Sequence, residues 1–443
     1  MKSLHLNMFK KINYIAAILV LLGGDAALAQ VTTQSPYSRY GVGNLKSLNL
    51  PQFKAMGGIS AGVWKPDGYS YINMQNPASY AGIQFTSIDI GMSGQINNLQ
   101  RNGVSENSFN ATLSHVALAF PVTPRSALSF GVLPYTELGY QFSNTVTLSN
   151  PGNTASQDVN YIYGGEGGLS KAYFGYGRQF GDHFRLGGNI EYVFGNLLQT
   201  RSTEFVDQTN ALNSRFQTKN SVGGVSFSYG AQYHIDLDAK TSLNFGYSGS
   251  SASSINSRRT YVVTQYIKNS GEEDTALDTL QIEQDAKSSL KLPLTHTFGV
   301  TVEKFGKWMI GADYRMGKWS DFMINGVNQG LQNTYGMSVG GQITPDAGSI
   351  SSYFNRVDYR LGFNYDKTYV RINDQDIKQM AVTFGFGFPL ASTPSRLAFY
   401  KINFTTELGK RGTQTNNLLQ ENYVNFHLGF TMNDKWFRRF RFD

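Results

Sequence analysis

The chain has 443 residues, of which 16% are charged, with 47 Gly, 30 Phe, 26 Tyr, no Cys and a net charge of +7. Soluble chains usually carry about 25% charge, yet past the N-terminus no apolar run approaches the roughly 18–20 residues of a membrane-spanning helix. Without Cys there is no disulfide scaffold, Cys-ligated metal, thiol nucleophile or lipidated Cys. Abundant aromatics and glycines with few charges suit strands that have one oily face and one small or polar face, the composition of a membrane β-barrel.

In chain order, Lys10 and Lys11 precede an apolar stretch from Ile12 to Leu22, and Ala27-Leu28-Ala29 stands before Gln30. A basic start, a short apolar core and an Ala-x-Ala site describe a secretory signal peptide over 1–29. Its removal takes away Lys2, Lys10, Lys11 and Asp25 and lowers the net charge from +7 to +5. That small excess gives no reason to expect a nucleic-acid partner. Residues 30–85 are rich in Gly, Ser and Asn with scattered apolar residues. A segment of this length ahead of a barrel is either a periplasmic tail or a plug in the lumen.

From residue 86 onward the chain alternates apolar and polar residues with period 2, the mark of a strand with one buried face. Val424, Phe426, Leu428, Phe430 and Met432 oppose Asn425, His427, Gly429 and Thr431; Val382, Phe384, Phe386 and Phe388 oppose Thr383, Gly385 and Gly387. Fourteen such strands are predicted, near 86–99, 109–120, 125–136, 169–180, 183–198, 222–235, 241–250, 292–305, 308–316, 334–344, 355–366, 380–390, 396–408 and 422–432. Six links are short or medium: 121–124, 181–182, 236–240, 306–307, 345–354 and 391–395. Seven are long: 100–108, 137–168, 199–221, 251–291, 317–333, 367–379 and 409–421. Short turns on one rim and long loops on the other are the pattern of an outer-membrane barrel. The expected architecture is therefore an all-β transmembrane antiparallel barrel over 86–432, with both termini periplasmic and a basic aromatic tail over 433–443. A soluble sandwich or propeller would have to bury fourteen full apolar faces against one another.

The face opposite the apolar one carries Asp89, Arg185, Glu191, Glu303, Asp313, Arg315, Asp358, Arg360, Lys401 and Glu407. Charges in a membrane zone must face a lumen and find partners. They form either a structural network between wall and plug or a charged constriction.

Before the first strand stand Ala55-Met56-Gly57-Gly58-Ile59-Ser60 and, some twenty residues later, Asn76-Pro77-Ala78-Ser79-Tyr80-Ala81. A Gly-Gly turn (Gly57, Gly58) followed by Asn76, Pro77 and Ala78 just ahead of strand 1 resembles the FadL/TodX family of outer-membrane transport proteins, over essentially the whole mature chain. The ending Asn433-Asp434-Lys435-Trp436-Phe437-Arg438-Arg439 is similar to that of FadL-type proteins of the Bacteroidota. The resemblance implies a monomeric barrel closed by an N-terminal hatch, taking up hydrophobic small molecules such as long-chain fatty acids or aromatic hydrocarbons. It implies lateral release into outer-membrane lipid through a gap at the third strand, without chemistry or cofactor. Strand 3 reads Phe130-Gly131-Val132-Leu133-Pro134-Tyr135, and Pro lacks the N–H that a ladder needs. Gly131 and Pro134 are the candidates for that gap; Pro134 serves equally well as the end of the strand.

Some features depart from the family's pattern. The stretch 251–291 is acidic in its middle, at Glu272, Glu273, Asp274, Asp278, Glu283 and Asp285, where fatty-acid capture asks for an apolar groove. Apolar loop candidates are Leu138, Tyr140, Phe142, Tyr161, Ile162 and Tyr163, and the cations Arg258, Arg259 and Lys268 suit a carboxylate or plain solvation. A polar-looped barrel also suits an alternative role, as a non-transporting FadL-like subunit of an outer-membrane secretion or barrel-assembly complex. The run Lys435–Phe442 suits the membrane interface, an insertion signal or a periplasmic partner. The six His residues lack metal spacing, with His234 and His427 predicted to line the lumen, and there is no Gly-x-Ser-x-Gly elbow. Gly164–Gly168 reads as a flexible loop and not a phosphate cradle. No enzyme, metal or cofactor is expected.

Overall fold

A computed structural model describes residues 35–435 except 65–69, 150–155, 207, 209, 269–273 and 391–397. The stretch expected to be a signal peptide and the tail from Trp436 onward lie outside the described residues, as does most of the turn after Pro389.

Fourteen wall strands, labelled β1 to β14, close into one antiparallel barrel. They are β1 Thr86–Arg101, β2 Val104–Thr123, β3 Ser126–Ser149, β4 Ser156–Phe180, β5 Phe184–Phe205 and β6 Asn213–Asp236. Next come β7, in two parts at Thr241–Ser250 and Ser253–Lys268, and β8, in two parts at Asp274–Leu292 and Thr295–Lys304. The wall finishes with β9 Trp308–Gly317, β10 Thr334–Ile343, β11 Asp358–Ile372, β12 Gln375–Pro389, β13 Phe399–Gly412 and β14 Gln420–Asp434. Each strand pairs with its sequence neighbour, and β14 returns to β1 through a continuous register from Gln420↔Gln100 to Asp434↔Thr86. No helix among the described residues is long and apolar enough to cross a membrane.

The period-2 pattern sets which way each side chain points. Ile88, Ile90, Met92 and Ile96 stand on one face of β1, the last three well exposed, while Asp89 on the other face is fully buried. The same split puts Phe426, Leu428 and Phe430 outside and Thr431 inside.

The seven long links are mostly not loops. Residues 137–149 and 156–168 continue β3 and β4 in one ladder from Ser126↔Arg178 to Ser149↔Ser156, and 253–268 pairs with 274–292. Gly164–Gly168 accordingly lies inside β4. These arms stand beyond the apolar zone, where neither face meets lipid, so the alternation that marks a strand is lost. Elsewhere on this rim the turns Asn102-Gly103, Asn325-Gly326 and Asn373-Asp374 all have positive φ, as the type I′ hairpin turn requires. The wall is uneven in height, with β3 to β6 at 22–25 residues and β9 and β10 at 10.

Residues 35–85 run along the inward faces of the strands. Pro77 lies against Gly187 and Gly177, Ala61 against Gly246, and Met56 with Gly57 against Gly340 and Gly362. At Gly187, Gly246 and Gly362 the segment's backbone fills the space a Cβ would need. At the far end, the Ser35 N–H donates to Gly139 O at 2.8 Å and its hydroxyl to Glu421 Oε1 at 2.6 Å. Glu421 begins β14, whereas Thr86 and Asp434 sit together at the short-turn rim. Ser35 and Asp434 therefore lie at opposite rims. The segment ahead of β1 runs the length of the lumen.

Candidate functional site: a chamber between two apolar cores

The lower core is built by the N-terminal segment. Leu50, Phe53, Met56, Ile59, Val63, Tyr71, Ile72, Met74, Tyr80 and Ile83 pack on small inward residues of the wall, Ala117, Ala119 and Ala127 among them. Polar wall side chains hold its backbone. Asp313 accepts from Ser60 N at 2.8 Å and Ala61 N at 3.0 Å. Thr383 Oγ1 accepts from Gly57 N at 2.8 Å and donates to Ala55 O at 3.0 Å. Ser338 donates to Gly57 O, Thr301 to Gly62 O, Thr405 to Pro51 O, and Gln232 to Ala61 O and Val63 O. Hydrogen bonds of this kind contribute about 1 kcal/mol each, more when one group is charged.

The Gly-Gly and Asn-Pro-Ala residues each have a distinct structural place. Gly57 and Gly58 have φ of 70° and 85° and turn the chain between two wall contacts. Asn76 caps the short 3-10 helix Pro77–Gly82, accepting from Ala78 N at 3.1 Å, while its amide donates to Ala61 O at 2.7 Å.

The upper core spans the lumen toward the long arms. Tyr37 and Val42 of the N-terminal segment pack with Leu138, Leu169, Val193, Val222, Ile255, Leu290, Trp319, Phe322, Tyr369, Ile377 and Leu418. Tyr140 belongs to it as well, with Phe142 and Tyr163 stacked beside it at 5.1 Å and the Arg39 guanidinium 4.5 Å from the Tyr163 ring. Apolar residues that suggested a capture groove are thus partly consumed in packing. The arm cations are engaged too: Arg259 pairs with Glu283, and Lys268 with Glu204 at 2.7 Å.

Between the cores lies a chamber of about 570 Å³. Its lining is mixed: the charged side chains Lys46, Lys54, Glu137, Lys171, Glu191, Arg315, Asp366, Lys367, Glu407 and Arg411 alternate with apolar ones such as Leu45, Leu48, Met74, Leu133 and Met316. Lys171 meets Glu191 at 2.7 Å, and Arg315 meets Asp366 at 2.9 Å. Lys54, on the short helix Pro51–Lys54 of the segment, is pulled down by burial to about 8 despite Glu407 nearby. Burial also raises the Tyr37 phenol above its ordinary value.

The inward charges named from the sequence fall into separate groups. Asp358 accepts from Arg360 at 2.8 Å and Lys401 at 2.7 Å, all three buried, and Lys401 also donates to Tyr71 of the N-terminal segment at 3.0 Å. Arg185 is stacked 3.2 Å from the centroid of the Trp64 ring. Glu303 accepts from Ser242 at 3.2 Å, and Glu407 accepts from Tyr423 at 3.1 Å with His427 4.0 Å away. His234 contacts Asn244 and Asp236. Asp89 meets His115 Nε2 at 2.7 Å and Thr431 at 2.6 Å, and His115 Nδ1 meets Ser114 at 2.8 Å. No group of ligands suited to a metal ion occurs among the described residues. Lys171, His115 and Asp366 are missing from the inward charges named from the sequence, although all three stand on the inward parity of their strands; Thr383, read as inward, holds the backbone of Gly57 and Ala55.

The chamber reaches the wall at one seam. β2 and β3 pair from Thr123↔Ser126 to Val116↔Val132 and then part. Gly131 is on the last rungs, opposite Ala117, with Val116 O where a Cβ would stand. Pro134 is two residues beyond, beside an irregularity in the β3–β4 register between Pro134 and Thr136. Above it the N-terminal segment replaces β2 as the partner of β3: Lys46 N donates to Tyr135 O at 2.9 Å, and Asn44 and Leu45 pair with Glu137 and Thr136. Glu137 clasps the seam, paired with Lys46 and accepting from Asn110 of β2 at 2.8 Å.

The barrel has the fold of solved outer-membrane channels. It is similar to the CymD monoaromatic hydrocarbon channel (14% identity, 88% of this chain and 99% of that one, TM-score 0.54). It is similar to the toluene transporter TbuX of Ralstonia pickettii (12%, 88% and 99%, 0.54) and to a FadL homologue of Pseudomonas aeruginosa (11%, 90% and 100%, 0.54). No curated protein matches the chain. At these identities the likeness is one of fold: an all-β, fourteen-stranded antiparallel barrel. A family model named BamG matches residues 8–443, so the chain belongs to the BamG family.

Proposed function

We propose that the chain serves as a plugged FadL-type barrel within a larger outer-membrane protein assembly, for secretion or barrel insertion, and performs no chemistry. Residues 35–85 act as the plug, and the Gly57-Gly58 and Asn76-Pro77-Ala78 turns are its fixed points. The observation that carries this reading is the pair of apolar cores that close the chamber above and below, with the Lys171–Glu191 and Arg315–Asp366 pairs between them. A hydrocarbon crossing from the long-arm side would have to open the upper core, then sit among ion pairs whose desolvation it cannot repay. The inward charges are on this reading a structural network.

A second reading is uptake of a hydrophobic small molecule with release to outer-membrane lipid, and the seam beside Gly131 and Pro134 favours it. Extraction from native membranes in mild detergent separates the two. A stable multi-protein complex with no lipid in the chamber is the expected result; a solitary barrel with lipid-like density between plug and wall would overturn the first reading in favour of the second.

A further inference from the structure

We propose that the lipid-facing wall over β6 to β10 carries a phospholipid site, with acyl chains in an apolar hollow and an anionic headgroup on Lys240, Lys304 and Lys307. The site lies on strands away from the β2–β3 seam and does not depend on the assembly reading above.

Three observations carry it. First, the wall is hollowed at this place. Val300, Ala312 and Val339 stand side by side on the outward face of β8, β9 and β10. Two residues further along the strands, Tyr247, Phe298 and Tyr314 form a row of rings on the same face. Short side chains beside tall ones leave an open hollow of about 660 Å³, within the roughly 300–1,000 Å³ of small-molecule sites. The rings are held in place: the Tyr247 and Phe298 centroids lie 5.1 Å apart, and the Tyr247 hydroxyl meets His296 Nδ1 at 2.9 Å.

Second, the foot of the hollow is cationic. Lys304 continues the outward row of Phe298 and Val300 and is paired with Trp308, and Trp is enriched at headgroup level. Lys307 stands in the turn between β8 and β9. Lys240, whose carbonyl accepts from Phe305 N at 2.8 Å, stands in the turn ahead of β7. The acids of the β6–β7 turn are already bonded: Asp236 meets His234 at 2.9 Å, and Asp238, near Lys304, accepts from Lys240 N and Thr241 N at 2.8 Å each. Three cations beside two engaged acids leave this rim positive, which draws anionic lipid.

Third, the two features are spaced for one molecule. Lys304 is four residues from Val300, about 13 Å at the rise of a strand. A headgroup on the lysines therefore lays its chains over the hollow. The outward side chains of the hollow are apolar but for ring hydroxyls, so they offer a peptide segment little to fix its register. The polar recognition is concentrated in the foot, which suits a single anionic head on apolar chains.

The test is native mass spectrometry of the barrel extracted in mild detergent, with phosphatidylglycerol or phosphatidylcholine added. The expected result is one retained phospholipid, with phosphatidylglycerol held more tightly. Lys240→Gln, Lys304→Gln and Lys307→Gln should each weaken phosphatidylglycerol by about fivefold and leave phosphatidylcholine unchanged. Lys435→Gln, at the same rim beyond β14, should change neither. Ala312→Trp fills the hollow from the lipid side, so it should lower retention of both lipids while the barrel stays heat-modifiable on gels. A photoreactive phenylalanine in place of Tyr314 should give lipid adducts in native membranes. Equal retention of the two lipids, an equal loss from Lys435→Gln, full retention in Ala312→Trp, or adducts only to a second polypeptide would overturn the proposal. None of these outcomes bears on whether the barrel co-purifies with partners, so this inference and the assembly reading fail separately.

Discussion

The β2–β3 pair behaves differently in its two halves. Below Val116 and Val132 it is ordinary wall, with Ala117, Ala119 and Ala127 facing the lower core. Above that rung the strands continue, β2 along β1 and β3 along β4, with no backbone pairing between them and the Asn110–Glu137 hydrogen bond as a side-chain bridge. Both halves alternate in sequence, so patterning is not what separates them. The difference lies in what stands behind the wall: in the lower half a tightly held segment packed on small side chains, in the upper half a chamber and a substitute strand.

Variants that loosen the lower half test the comparison hardest. Asp358→Asn leaves Arg360 and Lys401 buried with their common partner neutralised; breaking a buried pair costs about 3–5 kcal/mol. Urea titration of the refolded barrel in vesicles should show a loss of that size. Asp313→Ala removes the acceptor for Ser60 N and Ala61 N. With two buried donors abandoned, about 2–5 kcal/mol is expected to go, read as rapid proteolysis within residues 35–85 while the wall remains heat-modifiable on gels. If both variants leave the segment protease-resistant, the contrast between a held lower half and an adaptable upper half is wrong.

Lys54 gives a smaller, pH-dependent effect. Its ammonium ordinarily titrates at 10.5 and is lowered to about 8 in the fold. Between those values the unfolded chain holds a proton that the folded chain has released, so stability rises with pH from about 8 toward 10.5. Below pH 8 both states are protonated and the curve is flat. Lys54→Met should abolish the rising limb, as measured by urea midpoints across that range. The smallest effect belongs to the upper half. Glu137→Gln removes a partly exposed ion pair, for about 1 kcal/mol or less of stability, yet should speed thiol labelling of a Cys at Thr112. An unchanged labelling rate would mean that the clasp does not control the seam.

Much of the wall is legible from residues alone. Strands such as β12 and β14 have lipid on one side and lumen on the other, and that asymmetry is written as Val382-Thr383-Phe384-Gly385-Phe386. The arms lack the asymmetry, so 137–168 and 251–291 read as loops although Asn102-Gly103 and Asn325-Gly326 elsewhere on that rim carry a local hairpin signal. The glycines at 187, 246 and 362 are visible as small inward positions, but which atoms of residues 51–82 fill them depends on contacts across more than a hundred positions. The seam is illegible for a like reason. Pro134 marks a missing donor, whereas the substitution of Asn44-Leu45 for β2 is a long-range choice that no local pattern encodes.

The lengthwise course of the N-terminal segment constrains how the molecule is made. Ser35 is joined to Glu421 across 386 positions, and Ser87 to Asn433 across 346. Contacts so distant along the chain are slow to form, and those at Glu421 and Asn433 await the last strand to be synthesised. Because residues 51–64 and 70–82 lie against the inner faces of wall strands, a finished ring leaves them no lateral way in. Threading and ring closure are then a single late event, and an uncompleted sheet must wait, open-edged, with its filling already beside it.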